Sequence, residues 1–322
     1  MNRSHEFDLF LKTYRQNLSE AKRQRTTEPK PPVVIYPLAT EQYYTKEISD
    51  LMSKFVAVSF DLLDSQLKKW LNEKSDSAVD DFEEFKKKMN DELIALYGAS
   101  YALNTPSYNI LVLMADRVFS HVKKEWNKQI KVIMEIPWQP SEEWWGEVRR
   151  EWIYNNQTMM QKQAKDYISA LEALIVTALQ SLWSYPQLKT SIISLSEKFI
   201  GPRASLLARN EVGILNSLIW KNMYEEVGMK NYIWHTALDE RVRGNPMGRY
   251  PKAIPSHWVM EGLIMDWGNM TVYSDDRGNT WKKKTPIMEP LHVGMAMGCR
   301  CVPLPFWDDK IKKADSDIGG QE

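Results

Sequence analysis

The stretch Asn231-Tyr-Ile-Trp-His-Thr-Ala-Leu-Asp239-Glu-Arg241-Val-Arg243 marks the point where the sequence pattern changes from helical to strand-like. Just before it, Gly228 is suited to end a helix, because glycine readily adopts the left-handed conformation that closes many helices. After it, short apolar runs at 232–238, 263–267 and 270–274 have the length and composition of strands. The segment Asp-Arg-Gly-Asn at 276–279 favours a hairpin turn. The sequence therefore predicts a small α+β domain at the C-terminal end.

The first 200 residues have a different pattern, in which apolar residues recur every three or four positions as in amphipathic helices. Prolines within 29–37 exclude a helix there, because proline lacks an N–H donor and pushes the preceding residue into an extended conformation. We expect Gly98 to end one helix, and Gly201-Pro202 to separate two others. The predicted fold class is mainly α, with long helices and a helical bundle followed by a small α+β C-terminal domain.

On this basis the chain divides into five segments. They are an N-terminal amphipathic helix at 1–28, a proline-rich linker at 29–39, a helical region at 40–200, the α+β domain at 201–307 and a polar tail at 308–322. A chain of 322 residues has room for this organisation, since it exceeds the usual size of a single compact core.

Charge and hydropathy limit the classes of function. The chain has 42 basic and 42 acidic side chains, so it lacks the net positive charge expected of a protein that coats nucleic acid or an anionic membrane. It has no apolar run near the about 20 residues that span a bilayer, and its first residues do not resemble a signal peptide. We therefore expect a protein made in the cytoplasm that uses no membrane partner. Any contact with DNA would be local.

Charged residues around the fold transition predict an ion-pair network. Arg209 and Glu211 lie two apart on a predicted helix and so cannot face each other. Asp239 is placed to accept hydrogen bonds from the guanidinium groups of Arg209, Arg241 or Arg243. We expect this cluster to join the α+β domain to the last helix, as a structural feature rather than a catalytic one.

The two cysteines, Cys299 and Cys301, are separated by one residue and cannot form a disulfide framework. Together with His257 and His292 they provide four ligands of the kind that tetrahedral zinc prefers. A Cys-x-Cys pair with two distant histidines is a weak zinc signature, and the alternative is that the cysteines are small buried apolar residues. No His-Glu-x-x-His helix supports a catalytic metal, so a bound zinc would be structural.

Two surface features are candidates for binding. Four tryptophans lie around a proline-interrupted helix start, and aromatic side chains of this kind often anchor protein interfaces: Trp138, Trp144, Trp145 and Trp152. The run Lys282, Lys283 and Lys284 follows the hairpin segment and could contact the phosphates of DNA. For the lysines, the plainer interpretation is a solvated hairpin surface.

Four blocks of this sequence, taken together, resemble the phage Mu F-like minor head protein family. The resemblance covers about 168–305. It lies in an Arg-x-Glu helix ended by glycine, a tryptophan-containing strand followed by Asp-x-Arg-Val-Arg, a His-x-x-x-x-Gly block and a Cys-Arg-Cys end. The matching residues are Arg209, Glu211, Gly228, Trp234, Asp239, Arg241, Arg243, His257, Gly262, Cys299 and Cys301. The sequence departs from the family in having Asn210 where threonine is usual, and in a longer connection at 244–255.

The resemblance implies a minor head protein that binds the phage portal, is incorporated into the prohead and assists capsid assembly, genome packaging or DNA delivery. It implies a location inside the virion near the portal vertex, with the portal protein as main partner and a scaffold or capsid protein as a further one. The competing interpretation is a metal-dependent enzyme or toxin-like effector that uses Asp239, His257, Cys299 and Cys301.

Overall fold

The computed structural model describes residues 33–72, 79–134 and 141–306, and its fold is mainly helical with a small sheet near the C-terminal end. The segments 1–28 and 308–322 and Trp138 lie outside the described residues. Within the described ranges, five long helices precede the sheet: α1 Leu38–Asn72, α2 Val79–Ala102, α3 Asn104–Met134, α4 Trp145–Gln180 and α5 Tyr185–Glu226. The predicted fold class is confirmed. None of the described helices is both long and apolar enough to cross a bilayer.

The described residues form two compact units that are not continuous in sequence. The helical unit contains 39–116 and 149–208. The sheet unit contains the described residues up to Leu38, those between Arg117 and Val148, and those from Arg209 onward. This division does not coincide with the boundary predicted at residue 201, because the second half of α3 belongs with the sheet rather than with the other helices.

The helical unit is held together by a buried core with a few satisfied polar groups. The Tyr44 hydroxyl of α1 donates to the Asn156 side chain of α4 at 2.9 Å, and both residues are fully buried. The Tyr167 ring packs edge-on against Phe55 and Phe199 at 6.4 and 5.4 Å between centroids. Aromatic side chains thus link α1, α4 and α5 within this unit.

The sheet unit has its own aromatic core between two helices and the sheet. Trp126 of α3 lies 6.0 Å from Trp220 and 5.6 Å from Tyr224 of α5. Tyr224 in turn lies 6.3 Å from Trp267, which packs on Tyr232 of the first strand at 4.0 Å. These packed rings explain why the second half of α3 belongs to this unit.

Helix α5 runs through the position where two helices were predicted to meet. Pro202 lies inside it, and Gly201 beside it is exposed. The proline removes one backbone hydrogen bond, but burial of α5 residues on both sides of it offsets that cost. In the same way α2 continues past Gly98 to Ala102. The predicted breaks at both positions were wrong, because packing outweighed local propensity.

The end of α5 follows the sequence prediction. Gly228 has φ of +72°, its N–H bonds to the Glu225 carbonyl at 3.0 Å, and Met229 N–H bonds to the Tyr224 carbonyl at 2.8 Å. These two bonds form a Schellman motif, which needs a left-handed residue at this position. Glycine at 228 therefore terminates the helix directly before the first strand.

The sheet is antiparallel, with strand order β4-β3-β2-β1-β5. Its strands are β1 Asn231–His235, β2 Ile264–Asp266, β3 Asn269–Ser274, β4 Lys282–Lys283 and β5 Val302–Pro305. The predicted hairpin turn is confirmed: Arg277 and Gly278 both have positive φ, +62° and +82°, between β3 and β4. Because β1 pairs antiparallel with β5, residues that precede β5 lie close to residues that follow β1.

The proline-rich segment is non-helical at 33–37, as predicted, but it is not a free linker. The Ile35 N–H donates to the buried Glu125 carboxylate of α3 at 3.2 Å, and the Ile35 carbonyl bonds to His121 Nε2 at 2.7 Å. The Tyr36 hydroxyl donates to the Arg209 carbonyl at 3.3 Å. These bonds attach the segment to the sheet unit.

Candidate functional site

The strongest candidate site is a buried group of one histidine and both cysteines. His257 directly precedes the short 3-10 helix Trp258–Met260. Cys299 and Cys301 lie shortly before strand β5, and Cys301 is the residue next to its first residue, Val302. His257 Nδ1 is 3.5 Å from Cys299 Sγ and 3.4 Å from Cys301 Sγ. Each of the three residues is 3% exposed. The fold has brought together three of the four residues predicted to bind zinc.

A buried carboxylate completes the arrangement on the far side of the imidazole. Glu289 Oε2 lies 3.1 Å from His257 Nε2, and Glu289 is itself 3% exposed. Its other oxygen accepts the Leu291 N–H at 3.3 Å. No sequence pattern indicated this role, because a buried glutamate and a solvated one look alike without the tertiary structure. Glu289 is the main residue that the sequence prediction missed.

The ionisable groups in this cluster shift one another's pKa. Burial alone would raise the pKa of Cys299, but hydrogen bonds from Cys301 and His257 hold it well below its ordinary value. The hydrogen bond with Cys299 and burial together raise the pKa of Cys301. Burial opposes charging of His257, but hydrogen bonds with Cys299 and Glu289 raise its pKa. Burial also opposes charging of Glu289, but the hydrogen bond with His257 lowers the pKa of that carboxyl group. Protonation of any one of these four side chains therefore depends on the charge of the others.

His292, predicted as the fourth ligand, is not a member of the group. Its Nδ1 lies 3.3 Å from the Tyr232 hydroxyl, and its ring centroid is 5.2 Å from that of Trp267. Burial lowers the pKa of His292 to about 4, so this side chain is neutral near pH 7. The four-ligand prediction was wrong because the loop that carries both residues presents Glu289, not His292, to His257.

Helix α5 approaches the cysteine loop very closely. A Cβ on Gly213 would lie 2.8 Å from the Gly294 carbonyl oxygen and 3.1 Å from the Cys299 carbonyl oxygen. Near the same loop, the Asn210 side-chain oxygen accepts the Gly298 N–H at 2.6 Å. The backbones meet because neither Gly213 nor Gly294 has a side chain. Position 210, identified through the family resemblance, thus has a defined structural role.

The Arg-x-Glu pair of α5 lies beside this approach. Glu211 is 3% exposed, and Arg209 passes along Gly298, with its Cδ 3.7 Å from where a Cβ on that glycine would be. Arg209 therefore lies at the junction between α5 and the cysteine loop, and Glu211 is buried nearby on the same helix.

The predicted ion-pair cluster around Asp239 does not form. Within the described residues Asp239 makes no ion pair, and its carboxylate instead accepts the backbone N–H of Arg241 at 2.9 Å. The Arg243 guanidinium donates to the Met297 carbonyl at 3.0 Å. The Arg243 carbonyl accepts the His257 N–H, also at 3.0 Å. Arg243 thus connects the histidine turn to the cysteine loop, and Asp239 shapes a local turn because its carboxylate is satisfied two residues away.

The strand and turn residues of the resemblance also surround the group. Trp234 of β1 is fully buried, and its ring meets His257 edge-on, with 5.5 Å between centroids and 80° between planes. Gly262 has φ of +77° and donates its N–H to the Trp234 carbonyl at 2.9 Å. Glycine is favoured at 262 because this conformation strains other residues.

The tryptophan candidates separate into two kinds. Trp152 is 3% exposed, with its ring 6.1 Å from Tyr44 in the helical unit, so the prediction that it lies at an interface was wrong. Trp144 and Trp145 are half-buried. Trp145 stacks on Phe119 at 4.3 Å, and Trp144 meets the same ring edge-on at 6.0 Å. Among the candidates that the structure describes, these two keep exposed surface for a partner.

The lysine run does not form one uniform cationic surface. Lys282 and Lys283 lie on the edge strand β4, where Lys282 Nζ pairs with Asp275 at 2.8 Å. Lys284 is half-buried, and its ammonium donates to the carbonyl oxygens of Glu289 and Leu291 at 2.8 and 3.3 Å. Burial lowers the pKa of Lys284 to about 8. This lysine therefore holds the loop that carries Glu289.

Comparison with known proteins gives one relationship. No family model matches the chain, and no solved structure matches it. The chain is 30% identical over 122 residues to an uncharacterized protein of Haemophilus influenzae. The match covers 37% of this chain and 21% of that protein, so the chain spans about a fifth of the relative's length. The relationship shows shared ancestry of a segment and assigns no function.

Proposed function

We propose that this chain is a phage minor head protein of the Mu F-like kind, which binds the portal, enters the prohead and assists assembly, packaging or DNA delivery. The sequence resemblance is the basis of the proposal. The supporting observation is that the separate blocks of the resemblance contact one another in a single compact unit.

Three contacts between the blocks support this interpretation. Asn210 bonds to Gly298 across 88 positions, and Arg243 bonds to Met297 across 54. His257 meets Cys301 across 44 positions. Residues that recur together in a family and also meet in space are expected of a shared domain, whereas a chance match would leave them scattered.

The departure at position 210 is chemically small. The family's threonine and the asparagine found here both carry a side-chain oxygen that can accept a backbone N–H. In this chain that oxygen accepts the Gly298 N–H at 2.6 Å. Asparagine at 210 thus holds the cysteine loop on α5 in this chain.

Burial of the shared residues decides what kind of role they have. Glu211, Trp234, His257 and both cysteines are each at most 3% exposed, so they cannot touch a partner directly. We infer that they maintain the domain and that the portal is bound by exposed side chains elsewhere. Trp144 and Trp145 are the candidates of the right chemistry, because half-buried aromatic rings are preferred anchors at interfaces.

The proposal is tested by mixing the full chain with the portal protein of the same genome and measuring mass by size-exclusion chromatography with light scattering. We expect a stable complex, and a weaker one for a double Trp144→Ala and Trp145→Ala variant with unchanged circular dichroism. Trp281→Ala is the matched control, since Trp281 is also partly exposed, at 39%, but lies beyond the hairpin turn. If both proteins are folded and no complex forms at micromolar concentrations, the portal proposal is refuted. A complex that forms with a scaffold or major capsid protein instead would move the role away from the portal vertex.

Contact with packaged DNA is a secondary part of the proposal. Lys282 and Lys283 on the edge strand are its candidate residues, since the Lys284 ammonium is occupied by loop carbonyls. Binding to phosphates would weaken steeply as salt is raised. A salt-independent affinity for duplex DNA, or one unchanged by Lys283→Gln, would exclude this contact.

A further inference from the structure

We propose that His257, Cys299 and Cys301 bind a single zinc ion through Nδ1 and the two sulfur atoms, with Glu289 fixing the orientation of the imidazole. This inference rests on the geometry of the buried group. It does not depend on the portal proposal, and each can fail without the other.

The distances among the three ligand atoms match those of a zinc site. With zinc–sulfur and zinc–nitrogen bonds of about 2.3 and about 2.0 Å, tetrahedral angles place sulfur and nitrogen roughly 3.5 Å apart. The observed separations from His257 Nδ1 are 3.5 and 3.4 Å. All three ligand atoms lie within 4.8 Å of one another. A metal ion could therefore be accommodated with little movement of the side chains.

The surroundings of His257 are those of a metal ligand. A ligating histidine usually donates its second ring N–H to a carboxylate or carbonyl, which fixes the tautomer and raises the basicity of the ligating nitrogen. Glu289 occupies this place, 3.1 Å from Nε2, and the Leu291 N–H holds the carboxylate in turn. Since Nε2 faces the carboxylate, Nδ1 is left to face the two sulfurs.

The same contacts could suggest a nucleophilic triad of Cys299, His257 and Glu289, because a nucleophile, a base and an orienting carboxylate follow one another. Two observations favour a metal over this triad. His257 Nδ1 is equally close to both sulfurs, as it would be if the two cysteines and the histidine were ligands of the same ion. Each cysteine is also 3% exposed, whereas a nucleophile must reach its substrate.

The donor set favours zinc among the common metals. Thiolates are soft ligands, and two of them with an imidazole suit a tetrahedral zinc ion rather than magnesium or calcium, which prefer oxygen. In the described part of the chain, no further histidine, cysteine or carboxylate provides a fourth ligand atom to the group. The fourth position is therefore assigned to a solvent molecule.

A zinc ion here would connect segments that are distant in sequence. It would join the turn before Trp258–Met260 to the stretch that enters β5, next to the point where the Cys299 carbonyl meets α5. These segments are 42 and 44 positions apart. The ion would thus act within the sheet unit, as a structural crosslink.

The test uses the purified full chain. Metal analysis after dialysis is expected to find a single zinc ion per chain. Cobalt added to the zinc-free protein is expected to give the visible bands of a tetrahedral ion and the near-ultraviolet thiolate-to-cobalt bands. Titration of zinc against bound cobalt then gives the affinity without requiring any variant to fold.

Variants separate the roles of the residues. Cys299→Ser and Cys301→Ser are each expected to lose the thiolate-to-cobalt bands or to reduce them markedly. Glu289→Gln is expected to weaken zinc binding by about 10–100-fold while leaving the bands in place, because it orients a ligand without being one. His292→Ala is the matched control, since His292 is also buried, at 5% exposed, and is outside the group. It is expected to bind zinc like the unchanged chain.

Several outcomes would overturn the proposal. A folded chain that takes up neither zinc nor cobalt would do so, as would cobalt spectra without thiolate bands. Mass spectrometry showing a disulfide between Cys299 and Cys301 in freshly purified protein would assign the pair to redox chemistry instead. Loss of zinc from the His292→Ala variant, with its fold intact, would contradict the ligand set proposed here.

Discussion

The close approach of helix α5 to the cysteine loop predicts opposite effects for the same substitution at two helical glycines. Gly213 is buried, and a Cβ there would lie 2.8 Å from the Gly294 carbonyl oxygen and 3.1 Å from that of Cys299. Gly98 of α2 is exposed, and a Cβ there would meet nothing within 4 Å. Gly213→Ala and Gly98→Ala therefore form a matched pair, one at a tight backbone contact and one in open space.

The expected magnitudes follow from two opposing terms. Replacing glycine by alanine inside a helix stabilises it by about 0.5–1 kcal/mol, because the unfolded chain loses freedom and the helix gains a better former. Adding a methyl group to a tightly packed contact costs about 1–3 kcal/mol, and at Gly213 the atoms in the way are backbone oxygens that cannot rotate aside. We expect Gly98→Ala to raise the free energy of unfolding and Gly213→Ala to lower it, with a difference of about 1–3 kcal/mol between the two.

The assay is urea denaturation followed by circular dichroism. Each variant is compared with the unchanged chain at the same slope of unfolding free energy against urea concentration. Because the two glycines lie in different compact units, each variant is read on the transition of its own unit. If Gly213→Ala is as stable as Gly98→Ala, the backbone contact between α5 and the loop is absent in solution, and the reasoning is refuted. If the contact is real, Gly213→Ala should also disturb the thiolate-to-cobalt bands, since it displaces the Cys299 carbonyl.

Three further predictions concern other parts of the molecule. Trp152→Ala should cost about 3–5 kcal/mol of stability as a core truncation, whereas Trp145→Ala, at a half-buried ring, should cost clearly less; equal losses in denaturation would contradict their different burial. Hydrogen bonds with His235 and with a backbone N–H outweigh burial and lower the pKa of Glu261. A carboxyl group with a depressed pKa stabilises the fold at pH values above its ordinary pKa of 4.5, and this contribution is lost as the pH falls below 4.5. The unchanged chain should therefore lose its stability advantage over Glu261→Gln in that range. A constant difference in stability between pH 7 and pH 3 would exclude the interaction. Removing zinc with a chelator should lower the melting temperature of the chain, and an unchanged melting curve would show that the ion does not stabilise the domain.

Much of the fold was predictable because it depends on neighbouring residues. The spacing of apolar residues predicted the long helices, and the short runs after Gly228 predicted β1, β2 and β3. The predictions failed where packing outweighs local preference. Pro202 was expected to separate two helices but lies inside α5, since buried residues on both sides hold the helix together.

The candidate site was predictable in part. The residue types identified His257, Cys299 and Cys301 as zinc ligands, because soft and borderline donors are few in this chain. The sequence prediction also included His292, which lies outside the group, because no local pattern distinguishes it from His257. It also could not identify Glu289, whose role depends on lying 3.1 Å from a residue 32 positions away.

The sequence by itself determined the class of fold, the helix end at Gly228 and the turn at Arg277 and Gly278, because each follows from backbone conformations that local residues prefer. The tertiary structure decided which side chains form the buried site, that Asp239 makes a turn rather than an ion-pair cluster, and that half of α3 belongs with the sheet. These outcomes depend on distances between residues tens of positions apart in sequence. Such distances are set when the aromatic core within each unit packs, and no local pattern specifies them.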